Sequence, residues 1–381
     1  MRQRRLLRMA LLAVLQTLLS LSVEAKDEQR DPEQLTVGGA DQVTLYVPAF
    51  QSDDANLGLA VATVLNLQVW QTLRKSPTPN PHSLDFGNGA VVWDNEPLSS
   101  ADFETAEQAA ARTQDPPPQL VLWGKCYRYG QGVVAQAYLS LPVTRSPRPT
   151  DPERWLVFLP GNNGEASVES DIPTRRYAFE PIVLTGQVVE TYSRPDALKL
   201  YAAQEGDRVV GQVGGEFKAE RHAGPSDVEV TSAGITGWLR LPNLARERSE
   251  VTDFTGGVVR AYRGDWMGVL SLMQKVTDNP QTPTQLRVDA HLYRAMAAVR
   301  LNRDPEPDLL AAEALNPYAR RVVVYRAMAL LSGYADSPVD GQRDILDRVE
   351  RLVAERQYVF LPDDPWLAQW TAALAYLRQP G

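Results

Sequence analysis

Hydrophobic and polar positions switch between strand-like and helical spacing over residues 41–141. Residues 43–50 are rich in β-branched and aromatic side chains, which predicts a strand. Apolar residues at helical spacing predict a helix over residues 56–75. A short strand, a second helix and a hairpin are predicted at residues 90–93, 99–112 and 120–141. The resulting order, β-α-β-α-β-β, predicts an α+β sandwich.

The middle of the chain contains only short runs. Residues 142–174 combine a Pro-rich stretch with a polar segment and predict a linker and loop, interrupted by one strand at residues 155–160. Residues 175–244 contain several short β-rich runs separated by Gly, Pro and Asp turns. This spacing predicts a small antiparallel β-barrel.

From residue 250 to residue 381 the pattern is helical, and its short connections predict antiparallel neighbours. The pair Asn279-Pro280 recurs 37 residues later as Asn316-Pro317, and residues 293–297 recur 32 residues on as 325–329. These unequal periods indicate a degenerate helical repeat. The predicted fold class is therefore multidomain: an α+β sandwich, a small antiparallel β-barrel and an all-α helical-repeat array.

Each predicted unit resembles a known kind of module. The opening strand that ends in residues 47–50, the long helix after it and the late strand that ends in Gly124 before a hairpin resemble the N-terminal domain of the Tol-system protein TolB and the related domain of curli-secretion lipoproteins. Residues 209–211 and 237–241 resemble bacterial Src-homology-3-like domains, and residues 264–266 resemble the turn of tetratricopeptide repeats. The resemblances imply an assembly domain without catalytic residues, a barrel that in some relatives binds peptidoglycan or peptides, and a protein-binding array.

The N-terminus carries the pattern of an export signal. Arginines cluster in residues 2–8, an apolar run fills residues 9–21, and small residues stand at Val23 and Ala25. We expect residues 1–25 to be a signal peptide and 26–40 a polar leader. The protein would then be periplasmic or secreted, with no membrane span after cleavage. The alternative is an uncleaved anchor helix.

Composition narrows the classes of partner. A hydrophobic fraction of 44% and a charged fraction of 23% are typical of globular chains. The net charge of -8, with no basic run beyond the N-terminus, argues against nucleic acid as a partner. Cys126, the single cysteine, lies in a predicted strand, where we expect a buried structural thiol.

Patterns of catalytic residues do not stand out. His82, His222 and His291 lie in three different units, outside any paired-histidine motif. The sequence also lacks a nucleophile elbow, a P-loop and a dinucleotide fingerprint. We therefore expect no catalytic site, no metal site and no cofactor. The alternative is a cell-wall- or polysaccharide-directed enzyme whose two carboxylates face each other in the middle unit.

The predicted function is binding to a protein. Stacked helical hairpins form a concave groove that suits a peptide or helix of a partner. The candidate lining residues are Tyr262, Trp266, Tyr293, Arg294, Tyr325 and Arg326. The opposing interpretation packs the tyrosines between repeats and leaves the arginines solvated. We expect a non-enzymatic envelope adaptor whose two N-terminal modules dock it to an assembly or to peptidoglycan, or alternatively a structural subunit of a secretion assembly.

Overall fold

The computed structural model describes most of the chain beyond residue 44. The described residues are 45–75, 91–113, 119–142, 154–161, 164–171, 174–186, 189, 199–212, 218–223, 227–232, 234–240 and 250–378. The predicted signal peptide and polar leader lie outside these ranges. All described residues belong to one unit, Val37–Gly381.

A mixed sheet with two helices opens the described chain. Its elements are β1 (Leu45–Ala49), α1 (Ala55–Lys75), β2 (Val91–Pro97), α2 (Phe103–Thr113), β3 (Leu120–Tyr129) and β4 (Gly132–Ser140). Strand β1 pairs in parallel with β2 and β3, and β3 pairs with β4 as an antiparallel hairpin. This order matches the predicted β-α-β-α-β-β pattern, and Cys126 is buried in β3.

The two helices cover opposite faces of this sheet. Helix α1 packs its apolar stripe against β1 and β3 in the main core of the molecule. Helix α2 covers the other face, where Phe103 meets the ring of Trp123 edge-on at 5.1 Å. The Trp123 indole N–H donates to the Ser140 hydroxyl at 3.0 Å, which satisfies its buried polar atom. Because successive side chains of β3 and β4 point to opposite faces of the sheet, these strands contribute to two separate cores.

The region predicted as a linker and loop contains a second hairpin. Strands β5 (Arg154–Gly161) and β6 (Gly164–Asp171) pair with each other, and the loop prediction for the second strand was wrong. Its sequence is polar because every second residue faces outward: Val168 is buried, whereas Glu165 and Ser167 are exposed. Polar composition alone predicts a loop here, whereas the alternation of buried and exposed residues is that of a half-buried strand.

The next strands divide between two sheets. Strands β7 (Arg176–Ala178) and β8 (Ile182–Thr185) fall in the range predicted for the barrel, yet both pair with β4 and extend the first sheet. The remaining strands are β9 (Lys199–Tyr201), β10 (Val209–Gln212), β11 (Lys218–Ala223), β12 (Asp227–Ser232) and β13 (Ile235–Arg240). They form an antiparallel sheet in the order β10-β9-β13-β12-β11.

A closed barrel, as predicted for this region, is not found among the described strands. Closure would require β10 and β11, the two ends of the second sheet, to hydrogen-bond to each other, and they lie at opposite edges. Strands β9 and β10 are only three and four residues long, so this side of the sheet offers little backbone for a further partner. Trp238 and Leu239 of the predicted closing motif are buried in β13.

The C-terminal part is helical, as predicted. Its elements are α3 (Glu250–Tyr262), α4 (Trp266–Asp278), α5 (Thr284–Arg300), α6 (Glu306–Leu315), α7 (Arg320–Ser332), α8 (Val339–Glu355), a short 3-10 turn (Gln357–Val359) and α9 (Pro365–Leu377). The turn between α3 and α4 requires Gly264, whose φ is 69°. Asp265 then caps α4 by accepting from the Gly268 N–H at 2.9 Å.

The first sheet and the helices share one continuous core. Helix α1 packs against α3. Strand β7 places the ring centre of Tyr177 4.7 Å from that of Phe254 in α3. The Tyr177 hydroxyl also donates to the Tyr293 hydroxyl of α5 at 3.4 Å. Because these contacts are buried, the helices and the first sheet stabilise each other.

Candidate protein-binding site

The first helix of each predicted repeat directs an aromatic residue toward the chain's own strands. Phe254 of α3, Tyr293 of α5 and Tyr325 of α7 are all buried. Strand β7 covers the first two, and Trp155 of β5 meets the Tyr325 ring edge-on at 5.3 Å. Tyr293 and Tyr325 are therefore covered by strands of the same chain, and their binding to another protein stays a prediction.

The two predicted arginines form ion pairs between neighbouring helices. Arg294 of α5 pairs with Asp308 of α6 at 3.0 Å and donates to the Thr277 hydroxyl of α4 at 3.1 Å. Arg326 of α7 pairs at 2.6 Å with both Glu306 and Glu313 of α6. These ion pairs join α6 to α5 on one side and to α7 on the other.

The other two predicted residues lie near the turn between α3 and α4. Tyr262 and Trp266 are partly buried against the main core. The guanidinium carbon of Arg300 lies 5.8 Å from the centre of the Trp266 ring, within the range of a cation–π contact. The side chains of this turn thus pack mainly within the array.

Sequence reasoning missed a pair of exposed aromatic residues in the array. Tyr318 and Tyr358, here called the tyrosine pair, are 74% and 59% exposed. Their ring centres are 6.0 Å apart with an interplanar angle of 65°. Leu361, three residues beyond Tyr358, is exposed as well. Edge-to-face rings attract each other, so the tyrosine pair forms one surface feature.

Ionic and polar contacts hold the tyrosine pair in position. The Asn316 side chain accepts from the Tyr318 N–H at 3.1 Å, and Arg356 donates to the Tyr358 hydroxyl at 3.2 Å. Arg356 also pairs with Glu313, the residue that binds Arg326. These contacts involve the backbone N–H of Tyr318 and the hydroxyl of Tyr358, and the two rings contact each other.

Helix α9 is fixed beside this region through one carboxylate. Asp364 caps α9 by accepting from the N–H groups of Trp366 and Leu367 at 3.0 and 3.1 Å, and it accepts from both Nε and Nη2 of Arg320 in α7. Burial raises the pKa of Asp364, but the hydrogen bonds from Arg320 and Leu367 outweigh it and hold that pKa below its usual range.

Asp364→Ala is expected to lower the free energy of unfolding by about 2 kcal/mol at neutral pH, through loss of the cap and of the ion pair. Because the folded-state pKa is depressed, this contribution is present above pH 4 and disappears on acidification. Urea titrations of Asp364→Ala and Asp364→Asn at pH 7 and pH 3 measure it. The Asn variant keeps a cap and should lose less; equal losses for both variants would contradict the capping role.

Residues that could perform metal chemistry are dispersed where the structure describes them. His291 contacts Asp308 at 2.8 Å, His222 lies in β11, and His82 falls outside the described ranges. Over the described ranges, groups of three or more His, Cys, Asp or Glu side chains that could hold a metal ion are not found. In the same ranges, every helix is too short or too polar to cross a bilayer.

Comparison with known proteins gives no identification. No family model, curated protein or solved structure matches this chain. The role of the tyrosine pair is therefore inferred from its own chemistry. A sequence signal exists for Tyr358 alone: residues 358–361 (YVFL) are all apolar or aromatic in a connection between helices, where polar residues are usual.

Proposed function

We propose that this chain is a non-enzymatic adaptor of the bacterial envelope that binds another protein through the tyrosine pair. The observation that carries the proposal is the exposure of two mutually contacting tyrosines at the connections of a helical array. The export signal pattern of residues 1–25 supports the envelope as its compartment.

Tyrosine is suited to this role for physical reasons. Its ring contributes a large apolar area while its hydroxyl keeps a hydrogen bond, and it has few rotatable bonds to immobilise. Tyr and Arg are also enriched among the residues that dominate interface energetics. Arg356 beside Tyr358 adds a charged group that a partner can reach, since its side chain is 33% exposed.

The array itself supports the tetratricopeptide-like interpretation. Helices α3 and α4, α5 and α6, and α7 and α8 follow one another through short connections, and in the turn between α3 and α4 Gly264 has a φ of 69° and Asp265 caps α4. We propose that α9 caps this array. The assembly-domain resemblance of the first sheet and the Src-homology-3-like interpretation of β9–β13, with its docking to peptidoglycan or an assembly, stay predictions, as do the alternatives of a wall-directed enzyme and a secretion subunit.

Tyr318→Ala/Tyr358→Ala is expected to weaken capture of the partner about tenfold or more, because each truncation removes an aromatic contact typical of interface hot spots. The measurement is an affinity pull-down from the envelope fraction, quantified for each specifically retained protein. Removing all the helices would be a poor test, since it would expose the core shared with the first sheet.

A matched control is available on β3. Tyr127 and Tyr129 are also exposed tyrosines, far from the array in sequence, and Tyr127→Ala/Tyr129→Ala should leave capture unchanged. Both double variants should keep the far-ultraviolet circular dichroism spectrum and the melting temperature of the parent protein. Equal capture by the parent and by the Tyr318/Tyr358 variant would overturn the proposal.

A further inference from the structure

Strand β7 covers a buried group of polar side chains between the first sheet and the array. Tyr177 of β7 is buried, and its hydroxyl donates to the Tyr293 hydroxyl of α5 at 3.4 Å. Asp289 lies one turn before Tyr293 on α5 and is also buried. Asp289 and Tyr325 of α7 both act electrostatically on the Tyr177 hydroxyl, so they lie close to it. We call Tyr177, Tyr293, Tyr325 and Asp289 the seam cluster, because they join one strand of the sheet to two helices of the array.

The carboxyl group of Asp289 is poorly placed to carry a charge. Its Oδ1 atom lies 2.6 Å from Arg321 Nε of α7, but neither atom has a well-aligned hydrogen-bond partner among the described residues. The Gln285 amide donates to the other carboxyl oxygen in a long hydrogen bond of 3.5 Å. A buried carboxylate needs more hydrogen bonds than this to offset the loss of its hydration. Burial accordingly raises the pKa of Asp289 to about 7, although Arg321 and Gln285 oppose the shift.

Asp289 is the group of the seam cluster that can change its charge near neutral pH. Burial and the neighbouring Tyr293 raise the pKa of Tyr177 well above its usual range, so Tyr177 stays protonated. Arg321, as a guanidinium, keeps its charge throughout the physiological range. Phe254 of α3, which contacts the rings of Tyr177 and Tyr293, is apolar. Other charged residues of α5 and α6 lie away from the Asp289 side of α5: Arg287, His291, Arg294 and Asp308.

Strand β7 is suited to open locally. It contains three residues, pairs with β4 at three positions and lies at the end of the order β2-β1-β3-β4-β7. Tyr177 is its buried residue, whereas Arg176 and Ala178 are exposed. Short elements with few backbone hydrogen bonds open more often than the core of a protein does. Displacement of Tyr177 would bring water to Asp289, because the two side chains belong to the same buried cluster.

We propose that Asp289 makes the contact between β7 and the array sensitive to pH: its proton keeps the contact closed, and loss of that proton favours an open form in which water reaches Asp289 and Tyr293 is uncovered. In the open form the carboxyl group is hydrated and has the pKa of a free aspartate, about 4. In the closed form burial raises that pKa to about 7. Because the closed form has the higher pKa, the equilibrium constant for opening rises about tenfold per pH unit between about 4 and 7 and levels off above 7.

The direction of this effect distinguishes Asp289 from an ion pair that also holds β7. Arg176 of β7 pairs with Glu107 of α2 at 2.9 Å in an exposed position. Protonation of Glu107 would break that pair, so it would weaken the hold on β7 at low pH. The open form that depends on Asp289 is favoured at high pH instead. The sign of the pH dependence therefore identifies the responsible carboxyl group.

Hydrogen exchange between pH 5 and pH 8 tests the proposal in the parent protein and in Asp289→Asn, whose side chain cannot ionise. Exchange rates are divided by the intrinsic rates at each pH, which gives opening constants. For residues 174–182, which contain β7, we expect the opening constant of the parent to rise by about tenfold or more over this range and that of Asp289→Asn to stay constant. Helix α2, on the opposite face of the first sheet, is the control region and should open to the same extent at every pH in both proteins.

Three results would overturn the proposal. One is the same pH dependence in the parent protein and in Asp289→Asn. Another is a constant or falling opening constant for residues 174–182 of the parent as the pH rises, which decides the matter even if Asp289→Asn does not fold. The third is opening of these residues only at the free energy of global unfolding measured in urea, because Asp289 would then act on the whole fold and not on the β7 contact.

Discussion

Trp155→Ala is expected to lower the free energy of unfolding by about 3–5 kcal/mol, the usual cost of truncating a buried tryptophan. Trp155 is buried between the hairpin and α7, where its ring contacts Tyr325 and its indole N–H donates to Ser332. The variant would leave a cavity at this contact. The apolar face of the hairpin would then pack less well against the array. Urea unfolding followed by circular dichroism measures the loss.

Phe158→Ala is the matched control, since Phe158 is an aromatic residue of the same strand on the exposed face. We expect it to cost less than about 1 kcal/mol, as surface substitutions usually do. Hydrogen exchange adds a second readout. Amides of β5 and β6 should lose protection in Trp155→Ala before amides of β3 and β4 do. Equal destabilisation by the two substitutions would mean that the hairpin is not stabilised by its contact with the array.

The elements predicted correctly are those whose pattern is local. Helix α1 and the helices from α3 onward carry apolar residues at helical spacing, and β3 and β4 flank a Gly-containing turn. The prediction for strand β6 was wrong because its outward residues are charged or hydroxylated. Only the alternation of its side chains marks it as a strand. The partners of β7 and β8 could not be derived either, because strand pairing at long range depends on the complete fold.

The candidate site shows the same limit. Tyr293 and Tyr325 were placed on one face of the array by their positions in the repeat, but nothing local indicates that β7 and β5 cover that face. Tyr318 and Tyr358 are 40 residues apart, and only the packing of α6, α7 and α8 brings their rings together. Contacts of this kind follow from tertiary structure and leave little trace in the sequence.

The use of the first-helix face by the chain itself bears on the adaptor proposal. Because Trp155 and Tyr177 cover the aromatic residues of this face, it offers little to an external peptide. A partner would instead meet the surface formed by the connections between helices, where the tyrosine pair lies. Binding there leaves the shared core intact, so recognition does not require partial unfolding of the array.

A buried ion pair links α5 and α7 beneath this face. Asp289 is 1% exposed, and one of its carboxylate oxygens lies 2.6 Å from Arg321 Nε in an ion pair, while the Arg321 side chain remains 23% exposed. The Gln285 amide donates to the same carboxylate at 3.5 Å. Burial raises the pKa of Asp289 to about 7, although Arg321 and Gln285 partly oppose that shift. Desolvation of the charged form therefore outweighs its attraction to Arg321.

Arg321→Ala is expected to lower the free energy of unfolding by about 3–5 kcal/mol at pH 8, because it leaves a buried carboxylate without its partner. At pH 5 the loss should be clearly smaller, since Asp289 is then protonated and neutral in the folded state. The folded pKa lies above the unfolded one, so this group's contribution is complete below about pH 4 and is lost as the pH rises through 7. Urea titrations at both pH values measure the difference.

Asp289→Asn distinguishes the effect of ionising the Asp289 carboxyl from the effect of its packing on the free energy of unfolding. It keeps a polar side chain of the same shape but no longer ionises, and Arg321 can still reach solvent. The parent protein should lose stability between pH 5 and pH 8 relative to this variant, because only the parent must ionise a buried carboxyl. If Arg321→Ala lost the same free energy at both pH values, Asp289 would be charged throughout, and the ion pair would outweigh burial.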